Sequence, residues 1–416
     1  MNDQVSRRER WIRNVRRRWG ITLLLPARFL PDRSGAPDVA PPWEDVDRNI
    51  PKDLLTYPGE ERDLEEEERC AEGQPLNEFF TVHPEASEFI VDHGRDFLRP
   101  AITKLARAVH RLRRATRMTP AFARRTTSPA DLTTALRVEA RRIGLSRIGI
   151  AKSDSKYTFP VTDAEQLPTV IVCLVEQDWE LTQKIPSDEA ESAAMFGYAE
   201  GMTRTAQLAE FLKGLGYRAA PQGLTGDGLT IHYGVASGLG QLGLNGQLLT
   251  PEAGSRCRIL LMTTDADLTM DEPVDFGLHK VCDECQACVR NCPVGAIPKT
   301  RKPYRGVVKA KLNTARCLPV VAQAAGCAIC MKVCPVQRYG LDAILDHREK
   351  TGEILGVGTD ELEGYDWPLD DRHYGPGETP RVSDEIMQNP DLVFDFGRKS
   401  PPPGVEPIRF TGPKHG

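Results

Sequence analysis

Eight of the eleven cysteines in this 416-residue chain fall between Cys282 and Cys334, at spacings that suit iron ligation. The first run reads Cys282-x2-Cys285-x2-Cys288-x3-Cys292-Pro293. This is the bacterial ferredoxin pattern, in which three thiolates hold one 4Fe–4S cluster and the fourth reaches across to another. The second run, Cys317-x9-Cys327-x2-Cys330-x3-Cys334-Pro335, has its first cysteine displaced but completes a set of eight ligands. The crossed arrangement gives one cluster Cys282, Cys285, Cys288 and Cys334, and the other Cys292, Cys317, Cys327 and Cys330. A structural zinc site would use paired C-x-x-C units without the two C-P endings. An odd total crowded into one segment does not suit a secreted disulfide framework either, and points to a reducing compartment. Cys70, Cys173 and Cys257 read as ordinary core or surface residues, Cys257 standing near the candidate site below.

Two clusters carry electrons without transforming a substrate, so the user of those electrons belongs to the residues before about 276. Composition narrows what that user does. Apolar residues make up 40% and charged residues 27%, with a net charge of −5, which suits a soluble globular chain and lacks the basic excess of a generic nucleic-acid or anionic-membrane binder. The longest apolar runs, such as Ile259-Leu260-Leu261-Met262, fall far short of the roughly 20 residues of a membrane helix. Arg7-Arg8 is followed by Glu9-Arg10, and Pro26 ends the short Ile21–Leu25 run. A twin-arginine leader would carry an apolar residue and a longer apolar region there. A cytoplasmic location is the expectation.

At about 150 residues per domain the length suggests two to three domains. Residues 1–127 read as an N-terminal extension, irregular at first and acidic over Glu60–Glu68, with a basic helix ending near Arg117 that packs on the next domain. Pro100 should break or kink that helix. Residues 128–275 alternate helices and strands: a helix from Ser128-Pro129 to about Ile143, an apolar segment at 148–150, a buried strand at 169–175, a helix over 189–214 ended by Gly214-Leu215-Gly216, and a strand over 258–264. That order predicts one α/β or α+β layer domain. The cluster module occupies 276–345. A Pro/Gly-rich segment, 346–416, should wrap over the other domains.

Gly238-Leu239-Gly240-Gln241-Leu242-Gly243 matches the G-x-G-x-x-G dinucleotide fingerprint. The fingerprint requires the third glycine to open a helix, and Asn245-Gly246, Pro251 and Gly254 leave no room for one. A glycine-rich backbone lying close against some large ligand is the reading that remains.

These blocks together resemble the cobalamin-dependent reductive dehalogenases. The resemblance rests on Thr182–Ser187, Gly197-Tyr198, Leu212–Tyr217, Ser237–Gly243 and Leu249–Arg258, joined to the double ferredoxin motif with its displaced fifth cysteine. It covers about 130–340 and is shared with the related epoxyqueuosine reductases, whose helical-repeat ending is not found here. The resemblance implies an α+β fold: a nitroreductase-like corrinoid-binding core with a bacterial-type two-cluster 4Fe–4S ferredoxin module. It implies base-off cobalamin and two 4Fe–4S clusters as cofactors. The D-x-H-x-x-G motif of a histidine-ligated cobalt is absent in agreement, and His232 reads as a core histidine.

The implied reaction replaces halogen on a small organohalide with hydrogen, electrons passing through the clusters to cobalt. The family's tyrosine proton donor maps to Tyr198, and its basic partner to Arg256 or Arg258. A neighbouring cation would steady the phenolate. Gly238, Leu239, Gly240, Thr250 and Pro251 map to the corrinoid-binding blocks. Asp227, near the aspartate position of the epoxyqueuosine reductases, is the alternative acid. Epoxide reduction on a tRNA nucleoside and plain two-cluster electron transfer are the alternative functions. No reductase domain is seen in the chain, so an external ferredoxin or flavodoxin is the expected donor.

Overall fold

A computed structural model describes residues 99–382, apart from 121–122, 125–126, 155–166, 224–227, 305–306, 313–316, 318–319, 322–323 and 381. The acidic run, Cys70 and Asp227 lie outside the described residues.

Helix α1 (Arg99–Arg117) takes Pro100 into its first turn, where a missing N–H costs nothing. It therefore starts there without a kink. Ala101, Leu105, Ala108, Leu112 and Ala115 line one buried stripe, the helical spacing read from the sequence. Helix α2 (Pro129–Arg142) is capped by Ser128, whose Oγ accepts from the Asp131 N–H at 3.1 Å. Strands β1 (Arg147–Lys152) and β2 (Thr169–Glu176) follow, then the short α3 (Trp179–Gln183).

The long α4 (Asp188–Gly214) has Ser187 as its N-cap and Asp188, Glu189 and Glu191 in its first turn, where carboxylates suit the helix dipole. Lys213 in its last turn caps another helix. Its buried ammonium donates to the carbonyls of Ala115 at 2.6 Å, Thr116 at 3.2 Å and Met118 at 2.7 Å, at the end of α1. Those carbonyls have no partner within their own helix. Lys213→Met is expected to lower stability by about 1–3 kcal/mol, read as a lower urea midpoint; an unchanged midpoint would show that the carbonyls find other donors.

Strand β3 (Ala219–Pro221), α5 (Thr230–Ala236), the small hairpin β4 (Gln241–Leu242) and β5 (Leu248–Leu249), and β6 (Cys257–Thr264) complete the core. One antiparallel sheet runs β1-β2-β6-β3, with Val175 opposite Arg258 and Glu176 opposite Cys257. Successive β2 side chains point to opposite faces. Ile171, Cys173 and Val175, with Leu260 and Met262, pack under α1, α2 and α4. Val170, Val172 and Leu174, with Leu261, pack under α5, Leu239 and Leu248. Helices on both faces explain why β2 is a continuous apolar run in an antiparallel sheet, where alternation is the usual pattern.

The cluster module contains α6 (Leu278–Cys285), α7 (Ala287–Arg290), the ladder β7 (Lys302–Tyr304) with β8 (Val307–Lys309), α8 (Ile329–Lys332), α9 (Pro335–Tyr339) and α10 (Leu341–Thr351). Beyond these, α11 (Asp360–Glu363) and the hairpin β9 (Tyr365–Trp367) and β10 (Arg372–Tyr374) return to it. Tyr365, Trp367 and Tyr374 pack with Val294, Val320, Ile329 and Val333 in the module's own core. The described part of the C-terminal segment thus supplies aromatic rings to the cluster module.

Candidate active site and cluster module

Two glycines let α4 lie flush on β6. A Cβ on Gly197 would stand 3.1 Å from Arg258 Cγ, and one on Gly201 would collide with Leu260 Cδ2. Position 258 shares a sheet face with 260 and 262, so its side chain points toward α4. There the Arg258 guanidinium lies over the Tyr198 ring, 4.7 Å from its centroid, at cation–π distance. The same guanidinium donates to Gln177 from Nε, Nη1 and Nη2 at 3.2, 3.1 and 3.0 Å. Arginine only donates, so the Gln177 amide presents its oxygen.

Arg256 is held elsewhere. Its Nη1 donates to the backbone carbonyl of Gln177 at 2.8 Å, and its Nη2 pairs with Glu176 at 3.2 Å. The structure thus brings Tyr198 together with Arg258 and gives Arg256 to the end of β2. Gln177 and Glu176, which serve the two arginines, were not singled out in the sequence. Their signal was faint: Glu176 ends β2 and Gln177 follows it, opposite the start of β6.

The glycine-rich block faces the other side of the sheet. Gly238 has φ 65° and sits where a Cβ would stand 2.5 Å from the Glu272 carbonyl; a Cβ on Gly240 would strike the Leu249 carbonyl. Leu239 is buried in the second core. Gly243 lies in the loop of the β4–β5 hairpin and opens no helix, in keeping with the rejected dinucleotide fingerprint. These glycines are demanded by contacts within the chain. Thr250 closes a tight turn to Gly254, with backbone bonds of 3.0 and 2.9 Å, and Pro251 presents its carbonyl to the Leu341 N–H at 2.7 Å. Gly254, at φ 53°, abuts Gln337 of α9. Where this turn enters β6, Ser255 Oγ and Arg256 Nε are buried without a hydrogen-bond partner, polar atoms free to meet a ligand.

The module docks through the same region. Lys332 Nζ donates to the Gln183 carbonyl at 2.9 Å, and Arg338 Nη1 donates to Gln183 Oε1 at 2.8 Å. A cavity is lined by Cys282, Cys285, Cys288 and Cys334, with Cys330 also on its wall, and is flanked by Leu244, Asn245 and Leu249 of the β4–β5 hairpin. Cys317 lies within electrostatic range of Cys327, Cys330 and Cys292. Burial pushes the Cys285 thiol up to about 11 and those of Cys327 and Cys330 up to about 12, with neighbouring cysteines adding to it. Such thiols ionise when bound metal supplies the compensating charge. Thiols spread around a cavity suit a cuboidal multi-iron cluster better than lone zinc.

Three residues stay out of this chemistry. His232 is buried edge-on against Tyr233 at 5.4 Å, and burial lowers its pKa to about 3. Burial likewise raises Cys173 to about 12 and Cys257 to about 11.

An antiparallel sheet with helices on both faces, joined to a two-run cysteine module, defines an iron–sulfur protein with the reductive dehalogenase fold. The 4Fe-4S dicluster domain family matches residues 281–338. The tetrachloroethene reductive dehalogenase of Dehalobacter restrictus is 35% identical over 243 residues, covering 54% of this chain and 44% of that one. Its counterpart from Sulfurospirillum multivorans is 24% identical over 292 residues, 58% of each chain. A solved reductive dehalogenase superposes with a TM-score of 0.52 at 20% identity, over 73% of this chain and 52% of that one. Epoxyqueuosine reductases also match, over shorter stretches. The chain spans about half the length of the curated relatives it matches. The resemblance read from the sequence stands: over its core and cluster module the chain is similar to the reductive dehalogenases. No helix among the described residues is long and apolar enough to cross a membrane.

Proposed function

We propose that the protein removes halogen reductively from a small organohalide, using base-off cobalamin and two 4Fe–4S clusters. The overall change takes two electrons and one proton, converting a carbon–halogen bond into carbon–hydrogen and halide. The observation that carries this reading is the Tyr198–Arg258 pair, 4.7 Å apart, on elements against which the cysteine module docks. Cobalamin, when bound, supplies the metal centre at which the carbon–halogen bond breaks. Ser255 and Arg256, with their unpartnered polar atoms, would hold it beside the Thr250–Pro251 turn, with Gly238, Leu239 and Gly240 lending backbone from the segment between α5 and β4. Tyr198 gives its phenolic proton to the carbon that loses halogen, and the Arg258 guanidinium above the ring steadies the phenolate. Gln177 holds that guanidinium in place. The thiols of Cys282, Cys285, Cys288 and Cys334 hold one cluster, and those of Cys292, Cys317, Cys327 and Cys330 the other. Electrons come from a separate ferredoxin or flavodoxin, in the reducing cytoplasm that thiolate-bound clusters favour.

Anaerobic reconstitution is expected to give about eight irons and one corrinoid per chain, with turnover of halogenated phenols or chlorinated ethenes and none of epoxyqueuosine-containing tRNA. Iron without corrinoid under every condition would leave only an electron carrier. Turnover of the tRNA instead would make it an epoxyqueuosine reductase.

A further inference from the structure

Glu191 lies seven residues before Tyr198 on α4, two turns away on the same helix face. Its partly buried carboxylate stands between two parts of the molecule. On one side is Arg258, within electrostatic range: burial pushes the Glu191 carboxyl above the ordinary carboxylate value, Arg258 opposes that and Asp188 adds to it. On the other is Gly326, where the carboxylate fills the space a Cβ would need. Gly326 has φ 74° and is followed directly by Cys327 at φ 48°. The left-handed backbone favours glycine there, and the carboxylate packs directly on it. One carboxyl side chain on α4 thus touches the loop of the second cysteine set and lies within electrostatic range of the arginine that covers Tyr198.

We propose that Glu191 is a positioning residue shared by the second cluster and the Tyr198–Arg258 pair, holding the guanidinium in place and lowering that cluster's reduction potential. The inference rests on the cluster assignment above. A negative charge close to a cluster opposes the arrival of an electron. Removing it also leaves Arg258 with only Gln177 and the Tyr198 ring as the partners described, both neutral. The two changes act in the same direction, toward easier reduction.

The test is an anaerobic, EPR-monitored redox titration of the full reconstituted chain, with dithionite as reductant. Glu191→Gln keeps the shape and removes the charge, and is expected to move the midpoint of one cluster to more positive potential while the other stays put. Glu191→Asp, with the charge retained but drawn back, should shift the same midpoint less. Glu189→Gln, an exposed change in the same helical turn, should shift neither. If both midpoints ignore Glu191→Gln, or both move equally, the proposal is overturned. A parent chain that takes up iron for fewer than two clusters overturns the ligand assignment, and the proposal with it.

Discussion

Replacing Tyr198 by phenylalanine is expected to lower dehalogenation by about 10²–10⁴-fold, the usual contribution of a positioned general acid. Iron and corrinoid contents should stay at the parent's level. The argument is geometric. The Tyr198 ring packs against the core under α4, and Arg258 rests on its face; phenylalanine keeps the ring and both contacts, and only the hydroxyl is lost. Arg258→Lys should act in the same direction less severely, since lysine keeps the charge but loses the planar fork that meets Gln177. Arg256→Lys should alter corrinoid retention more than the proton step, because Arg256 is directed to Glu176 and the Gln177 carbonyl. The decisive measurement is single-turnover product formation in the phenylalanine variant. Parent-like rates there would remove Tyr198 from the mechanism and make Asp227 the next residue to test.

The second large effect concerns a cysteine. Cys334→Ala is expected to abolish one cluster and leave the other, cutting iron from about eight to about four per chain and stopping turnover. Cys334 ends the second run in sequence, yet its side chain lines the cavity of Cys282, Cys285 and Cys288. Its thiol is raised by burial first and then by Cys282 and Cys285, which places it with the first run. The surviving cluster should therefore be the one bound through Cys327, and it should keep the response to Glu191→Gln described above. Loss of the Glu191-sensitive cluster instead would show that each run binds its own cluster without crossing.

Much of this organisation is legible in the sequence, for local reasons. Ser128 before Pro129 and Ser187 before three carboxylates mark the starts of α2 and α4, because capping is written in adjacent residues. The run 169–175 reads as a buried strand because both its faces are covered. The cysteine spacing is legible because each tight loop must present several thiols at once. What is not legible depends on residues distant in sequence. Nothing near Arg256 or Arg258 says which one faces Tyr198; the sheet register decides it by placing position 258 under α4. Gln177 and Glu191 are ordinary polar residues until the fold sets both beside one guanidinium. The short β3 and the β9–β10 hairpin carry too few residues for a period to show. Tyr365, Trp367 and Tyr374 become core residues only through packing on the cluster module.

The glycines at 197 and 201 have a consequence beyond letting a helix approach a strand. At those points the α4 backbone rests directly on side chains of β6, Arg258 Cγ and Leu260 Cδ2, so the gap between phenol and guanidinium is set by how closely the helix backbone seats on them. Tolerance at this site is accordingly one-sided: enlargement at 197 or 201 pries the pair apart, and no smaller residue exists to draw it closer.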